Sequence, residues 1–322
     1  MSLPWQYLLL IPTTILHLAF SLRERTTMPP PGELIDIGGY KIHLWVKGTG
    51  TTTIVIDHSL GGIEGYFLID AIASQTRVCI YDRPGYGWSE PSPRKRCSQE
   101  IVQELDLLLT NAGIKPPYIL VGDSFGSYNM RLYAHQYPEK VQGIVLTDGL
   151  HESGMLNLPV IIRAVKYLFI SGFIMSVIGS CLGIVRLLGI LGLVEIIKPE
   201  IKKFSPSQRQ KVKRSFYHYR HWLTMTRELI GLNRSSHQVK VATQLDSLPI
   251  ISIKSRTFFN SSIFTLLLPL ARIDLLREQM HRHLSLLSDN FTAISANKSS
   301  HFVWIDEPEI ILRAIAQLLN NQ

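Results

Sequence analysis

Ser124 sits between two glycines in the stretch Tyr118-Ile-Leu-Val-Gly-Asp-Ser-Phe-Gly-Ser-Tyr-Asn-Met130. A serine hydroxyl is a weak nucleophile unless a base takes its proton and the backbone presents it clear of its surroundings. Tyr118 to Val121 reads as a short buried strand, and Tyr128 to Ala134 as a helix. A strand that turns straight into a helix forces the serine into a strained conformation and exposes its hydroxyl. The flanking positions must then be small, here Gly122 and Gly126, which is the nucleophile-elbow pattern. The start of the helix adds free N–H groups and a positive dipole end. The alternative is a turn with a structural serine. A base must titrate near working pH, which selects an imidazole. Of the eleven histidines, His301 alone follows the last strand pattern and precedes a terminal helix.

The elements that would position these groups are legible as runs. Residues 33–48 alternate apolar and polar around Gly38-Gly39, the mark of a hairpin. Continuous apolar runs follow at 53–56, 77–81, 118–121, 143–146, 249–253 and 291–294, with helical patterns such as 99–111 and 308–319 between them. Strands that do not alternate are covered on both faces, and strands separated by helices build a parallel sheet. The expected fold is therefore α/β.

Residues 3–20 carry no charge, and Arg23-Glu24-Arg25 follows, then the Pro-rich stretch 26–32. This pattern is expected to be a retained membrane anchor that leaves the rest of the chain cytoplasmic, or else a helix packed on the domain. Residues 151–245 break the α/β rhythm. Positions 167–185 are uncharged, and a basic section follows with Lys198, Lys202, Lys203, Arg209, Lys211, Lys213, Arg214 and Arg220. Three readings of this segment stand: an interfacial segment with its bases toward anionic head groups, a second span, or a buried lid.

Hydrophobic residues make up 46% of the 322 positions and the net charge is +8. The charge comes without any zinc-finger, RNA-binding or helix-turn-helix pattern, so no nucleic-acid partner is expected. Cys79, Cys97 and Cys181 are few and scattered, which argues against a disulfide framework or a metal cluster.

With Gly122-Asp-Ser-Phe-Gly126, the stretches Tyr81-Asp-Arg-Pro-Gly-Tyr-Gly-Trp-Ser-Glu-Pro91, His58-Ser-Leu-Gly-Gly62 and 300–316 occur in the order found in the α/β-hydrolase superfamily. The chain resembles that superfamily over nearly all of 33–322, most closely its capped, lipase- and esterase-like branch. The resemblance implies a mostly parallel sheet with helices on both faces. The chain is expected to divide into an N-terminal hydrophobic helix (1–25), a core in two parts (26–150 and 246–322) and a helical cap (151–245). The resemblance also implies His301 as base and the N–H groups of Phe125 and Leu60 as oxyanion donors. Ser59 stands where the family usually has glycine, and His58 would either orient that loop or be structural.

Most members carry the acid after the strand matching 249–253, where this chain has no carboxylate. Asp148, one strand earlier, keeps the order Ser, Asp, His; Asp274 is the fallback, and Asp148 as a helix cap is the alternative. Asp123 stands where the family often has histidine, and would raise the basicity of His301 or bond a cap residue. His281 and His283 read as solvated. The expected activity is hydrolysis of a carboxylic ester of an apolar or lipid substrate, without metal or organic cofactor. The alternatives are a peptidase or amidase of the same fold, or a non-catalytic binding protein.

Overall fold

The computed structural model describes residues 10–197, 199–260, 265 and 268–320. The chain opens with α1 (Leu10–Thr27), then forms the hairpin β1 (Glu33–Asp36) and β2 (Lys41–Lys47). Gly38 and Gly39 turn it with φ of 101° and 108°, a region open to glycine. There follow β3 (Thr53–Asp57), α2 (Glu64–Ala73), β4 (Arg77–Tyr81), α3 (Ser98–Asn111), β5 (Tyr118–Asp123), α4 (Gly126–Gln136) and β6 (Val141–Thr147). Among the described residues, six α-helices lie between β6 and the next strand, with a 3-10 turn at Pro199–Lys203: α5 (Glu152–Leu156), α6 (Val160–Cys181), α7 (Ile184–Ile190), α8 (Val194–Ile197), α9 (Pro206–Tyr217) and α10 (Tyr219–Val239). The chain closes with β7 (Ile250–Ser255), α11 (Leu270–Leu284), β8 (Phe291–Ala296), α12 (Val303–Asp306) and α13 (Pro308–Asn320).

The strands form one sheet in the order β1-β2-β4-β3-β5-β6-β7-β8. β1, β2 and β4 pair antiparallel, and every pairing from β4 through β3 to β8 is parallel. Alternate residues of each buried strand serve opposite faces. Val55, Leu120 and Ile144 pack with Ile101, Leu105 and Leu108 of α3. Ile54, Ile56, Ile119 and Val121 pack on the other face with Ile69 of α2 and Ile311 and Ile315 of α13. Because β5 to β8 are parallel, the residues just past their ends gather along one edge of the sheet, which places Ser124, Asp148 and His301 there.

The expected N-terminal span falls partly on residues 1–9, which lie outside the described residues. The helix that is described runs past that span to Thr27 and is fastened to the cap region. Arg186 of α7 donates to Glu24 (2.5 and 2.9 Å), Ser21 (3.1 Å) and His17 Nδ1 (3.1 Å). Leu182 O accepts from Thr13 Oγ1 at 2.9 Å. His17, on an otherwise apolar stretch, is buried by these contacts.

The uncharged run at 167–185 does not form one helix. α6 begins earlier, at Val160, and ends at Cys181; Gly183 (φ 75°) then reverses the chain, and an added Cβ there would meet Thr13 O at 2.3 Å. Among the described residues α6 is the one helix long and apolar enough to cross a membrane. It buries only Ser180 and exposes Val160, Leu168 and Met175.

The basic section is less free than its composition implies. Lys213 binds Glu195 (2.6 Å) and Gly189 O (2.7 Å), Lys203 binds Asp306 (2.9 Å), and buried Arg214 stacks over Trp88 at 5.1 Å. Lys203 and Arg214 tie the cap to the core and Lys213 ties it to itself, so the run is not a uniform cationic face; Lys198 lies outside the described residues.

Candidate functional site: a strained serine and a buried Asp–His pair

Ser124 adopts φ 50°, a left-handed conformation that a non-glycine residue holds only where its surroundings enforce it. Its N–H donates to Thr147 O (2.9 Å), which pins the elbow to the end of β6. The glycines are required by backbone approach. A Cβ on Gly122 would lie 2.8 Å from Gly126 O, and one on Gly126 would lie 2.4 Å from Asp57 O. The helix thus packs directly on the ends of β3 and β5, and Ser124 sits above it, 9% exposed.

His301 follows β8 and is held by three partners. Its N–H donates to Phe258 O (3.2 Å), the Phe258 ring stacks on the imidazole at 4.2 Å, and Nδ1 hydrogen-bonds Asp148 Oδ2. Asp148 leaves β6 with φ 44°, and its N–H donates to Ile253 O at 2.8 Å. Asp274, the fallback acid, accepts instead from Thr257 Oγ1 (2.8 Å), Phe258 N (2.8 Å) and Arg277 Nη1 (2.9 Å). The imidazole therefore meets Asp148.

Burial pushes the Asp148 carboxyl upward. Hydrogen bonds from His281 and His301, with the charges of His301 and Arg277, overcome that and hold it well below the usual carboxylate range. Asp123 is the opposite case. Burial, then the nearby charges of Glu64 and Asp148, push its carboxyl well above the usual range. Neither of its oxygens has a hydrogen-bond partner among the described residues. It bonds no cap residue, and as a neutral acid it adds no negative charge beside His301.

The loop after β3 carries the second expected donor. The N–H groups of Phe125 and Leu60 have no protein acceptor among the described residues. Ser59 uses its hydroxyl on the Glu64 carboxylate, which also takes Ile63 N (2.9 Å) and lies 3.1 Å from His58 Nδ1. Burial raises Glu64, and the His58 and Ser59 contacts outweigh it and hold Glu64 at about 2. His58 and Ser59 together anchor the loop to α2, which answers the departure from glycine.

Three contributors carried weaker sequence signals. Arg83, inside the Asp-Arg-Pro-Gly stretch, donates to Asp57 (2.7 Å), His58 O (2.6 Å), Ser59 O (2.8 Å) and Glu228 of α10 (2.9 Å twice). Its place in that motif was the available signal. His281, expected to be solvated, turns inward to Asp148 Oδ1 at 3.3 Å, because Met280, Leu284 and Arg277 bury that face of α11. Arg277 had no signal beyond its place in a basic helix. His283 does stay at the surface, bonding Gln279 O at 2.8 Å.

An eight-stranded, mostly parallel sheet with a serine elbow after its central strand defines an α/β-hydrolase fold. A family model described as the alpha/beta hydrolase fold matches residues 52–170. The chain has the α/β-hydrolase fold, and over residues 52–170 it is similar to that family. Solved structures with the same fold include the epoxide hydrolase CorEH (TM-score 0.62, 15% identity, 90% of this chain and 97% of that one). Another is a thermophilic esterase from Thermogutta terrifontis (TM-score 0.60, 15% identity, 88% and 94%). Among curated proteins, the uncharacterized protein YbdG of Bacillus subtilis is 27% identical over 130 residues, 39% of this chain and 40% of YbdG. Three such relatives are matched over 30% to 41% of their own lengths.

Gly126→Ala should lower stability by about 1–3 kcal/mol, read by thermal denaturation, because its methyl has only the β3 backbone to displace. An unchanged melting temperature would refute the close approach. Asp123→Asn tests the neutral acid. The folded carboxyl keeps a proton that the unfolded chain releases near 3.8. The stabilisation from that proton is complete below this value and is lost as pH rises toward the raised one. The asparagine variant should therefore melt ~2 °C or more above the parent at pH 7, with the gap closing toward about pH 4. A gap that widens on acidification would show an ionised Asp123.

Proposed function

We propose that the protein is a membrane-associated serine hydrolase that cleaves a carboxylic ester of an apolar, lipid-like substrate through an acyl-enzyme on Ser124. The observation that carries this reading is the strained Ser124 on the sheet edge shared with the buried His301–Asp148 pair. In the proposed reaction, His301 Nε2 takes the Ser124 proton as Oγ bonds to the carbonyl carbon. The carbonyl electrons move onto oxygen, where the N–H groups of Phe125 and Leu60 receive the negative charge. The intermediate collapses, the C–O bond to the leaving alcohol breaks, and His301 returns the proton to that alcohol. Water then repeats the sequence on the acyl-enzyme and frees the acid. Asp148 keeps the Nδ1–H tautomer and stabilises the imidazolium.

The chemistry also discriminates between the neighbours' names. Serine opening an epoxide would leave an ether, which water does not readily cleave, whereas an acyl ester on serine hydrolyses. A serine elbow therefore favours the esterase-like reading over the epoxide-hydrolase one. Apolar lining supports the substrate class. From Phe258, beside His301, rings continue to Phe259 (4.6 Å), Phe169 of α6 (6.5 Å), Phe173 (6.2 Å) and Trp222 (6.0 Å). This row leads from the imidazole to the exposed apolar helix, which supports attachment at a membrane surface.

A fluorophosphonate probe should label the wild-type protein and neither Ser124→Ala nor His301→Ala. Asp148→Asn should retain the fold and lose about 10³–10⁴ in turnover. Labelling that survives Ser124→Ala would dismiss this nucleophile. For the membrane, Leu168→Glu with Met175→Glu should weaken co-sedimentation with phospholipid vesicles by about tenfold or more. Turnover of a soluble short-chain ester should hold. Undiminished sedimentation would remove α6 from the contact.

A further inference from the structure

The carboxylate of Asp148 serves more than the imidazole. Its Oδ2 is shared by His301 Nδ1 and Arg277 Nε (3.1 Å). Its Oδ1 takes Arg277 Nη2, Ser255 N (3.2 Å) and His281 Nε2 (3.3 Å). Arg277 thus grips the carboxylate through two of its nitrogens, and it is itself 6% exposed. Its remaining contacts lock it in place. Asp274 accepts from Nη1 (2.9 Å), Ser255 Oγ lies 2.5 Å from Nη2, and the Phe258 ring that stacks on His301 also lies 5.7 Å from the guanidinium carbon. A lone carboxylate would spend its whole charge on the imidazolium. Here a permanent cation competes for the same oxygen.

We propose that Arg277 is a positioning residue that sets the proton affinity of His301 by sharing, and partly neutralising, the Asp148 carboxylate. This rests on the Ser124–His301–Asp148 reading. An arginine suits the task because its planar fork fixes both oxygens while its charge never titrates. Competition from the cation reduces the share of the Asp148 charge that the imidazole receives. The other titratable groups facing this centre are His281 on α11, Asp123 at the end of β5, and Asp274 behind Arg277. Lys254, Arg256 and Glu278 stand with Arg277 and Asp274 around a cavity of about 260 Å³. Lys254 and Glu278 pair at 2.5 Å, leaving each little field at Asp148. The polar cavity screens the guanidinium, so its effect should amount to about one pH unit rather than several.

The experiment is the pH profile of kcat/KM on a soluble p-nitrophenyl ester with the full chain. In Arg277→Gln the acidic limb should move up by about one unit. Arg277→Lys, which keeps the charge, should restore most of the original position. Asp274→Asn should move the limb the opposite way, since it leaves Arg277 less neutralised. Asp274 is partly exposed, so this variant carries the test even where Arg277→Gln fails to fold. The Arg277→Gln shift should persist in a His281→Asn background; its loss there would assign the limb to His281 and overturn the proposal. A limb that stays fixed in Arg277→Gln or in Asp274→Asn would also overturn it. Failure of the underlying reading would show separately, as probe labelling or turnover that does not depend on Ser124.

Discussion

One buried guanidinium, that of Arg83, holds the ends of three segments together. It bonds the Asp57 side chain and the carbonyls of His58 and Ser59 at the end of β3, and it reaches across to Glu228 on α10. Asn129 of α4 takes the other Asp57 oxygen at 2.6 Å, and Tyr86 completes Glu228 at 2.8 Å. Removing these charges from water is costly, and the cost is offset only because nearly every donor and lone pair finds a partner. The loop that must stand opposite Ser124 is thereby set by core and cap together. The His58 carbonyl that Arg83 holds, with the adjoining Asp57 carbonyl, forbids a side chain at Gly126. Ion pair and elbow are two sides of one contact.

The charges around Ser124 are arranged unequally. Asp148 and Asp123 are both buried near the serine, yet their environments drive them apart. Asp148 meets two imidazoles, a guanidinium and a backbone N–H, each of which favours the anion. At Asp123 the Thr147 side chain favours the anion, but burial and the charges of Glu64 and Asp148 outweigh it. One carboxylate is left to bond His301, and the other, with its carboxyl raised, lies next to Ser124 in the chain. A second anion there would oppose the negative charge that builds on a carbonyl oxygen during acyl transfer.

The cap joins two different surfaces. Its inner side is specific: Glu228 on Arg83, Arg214 over Trp88, and Arg186 on Glu24 of the first helix. Its outer side, along α6, exposes Val160, Leu168 and Met175. Burying α6 in the core would leave nothing to cover the aromatic row that runs from Phe258 to Trp222. Held outside, it can cover that row on one side and meet an apolar phase on the other.

The strands and the elbow were legible in the sequence because local chemistry decides them. Short apolar runs separated by helical patterns mark the strands, though the run at 291–294 forms an edge strand that is only partly covered, and glycines on both sides of Ser124 mark a close backbone approach. The order of motifs along the chain likewise singled out His301 among eleven histidines. Other features required tertiary contact. Nothing local separates Asp148 from Asp274, since the choice depends on which strand end lies beside β8. His281 and Arg277 looked like the solvated side of a basic helix until packing turned that face onto Asp148. The first helix and Lys203 of the basic run became internal ties because partners more than a hundred residues away supplied the opposite charge. Periodicity and residue type record what a segment prefers on its own. The pairing of charges and the direction of a side chain depend on neighbours that only folding brings together.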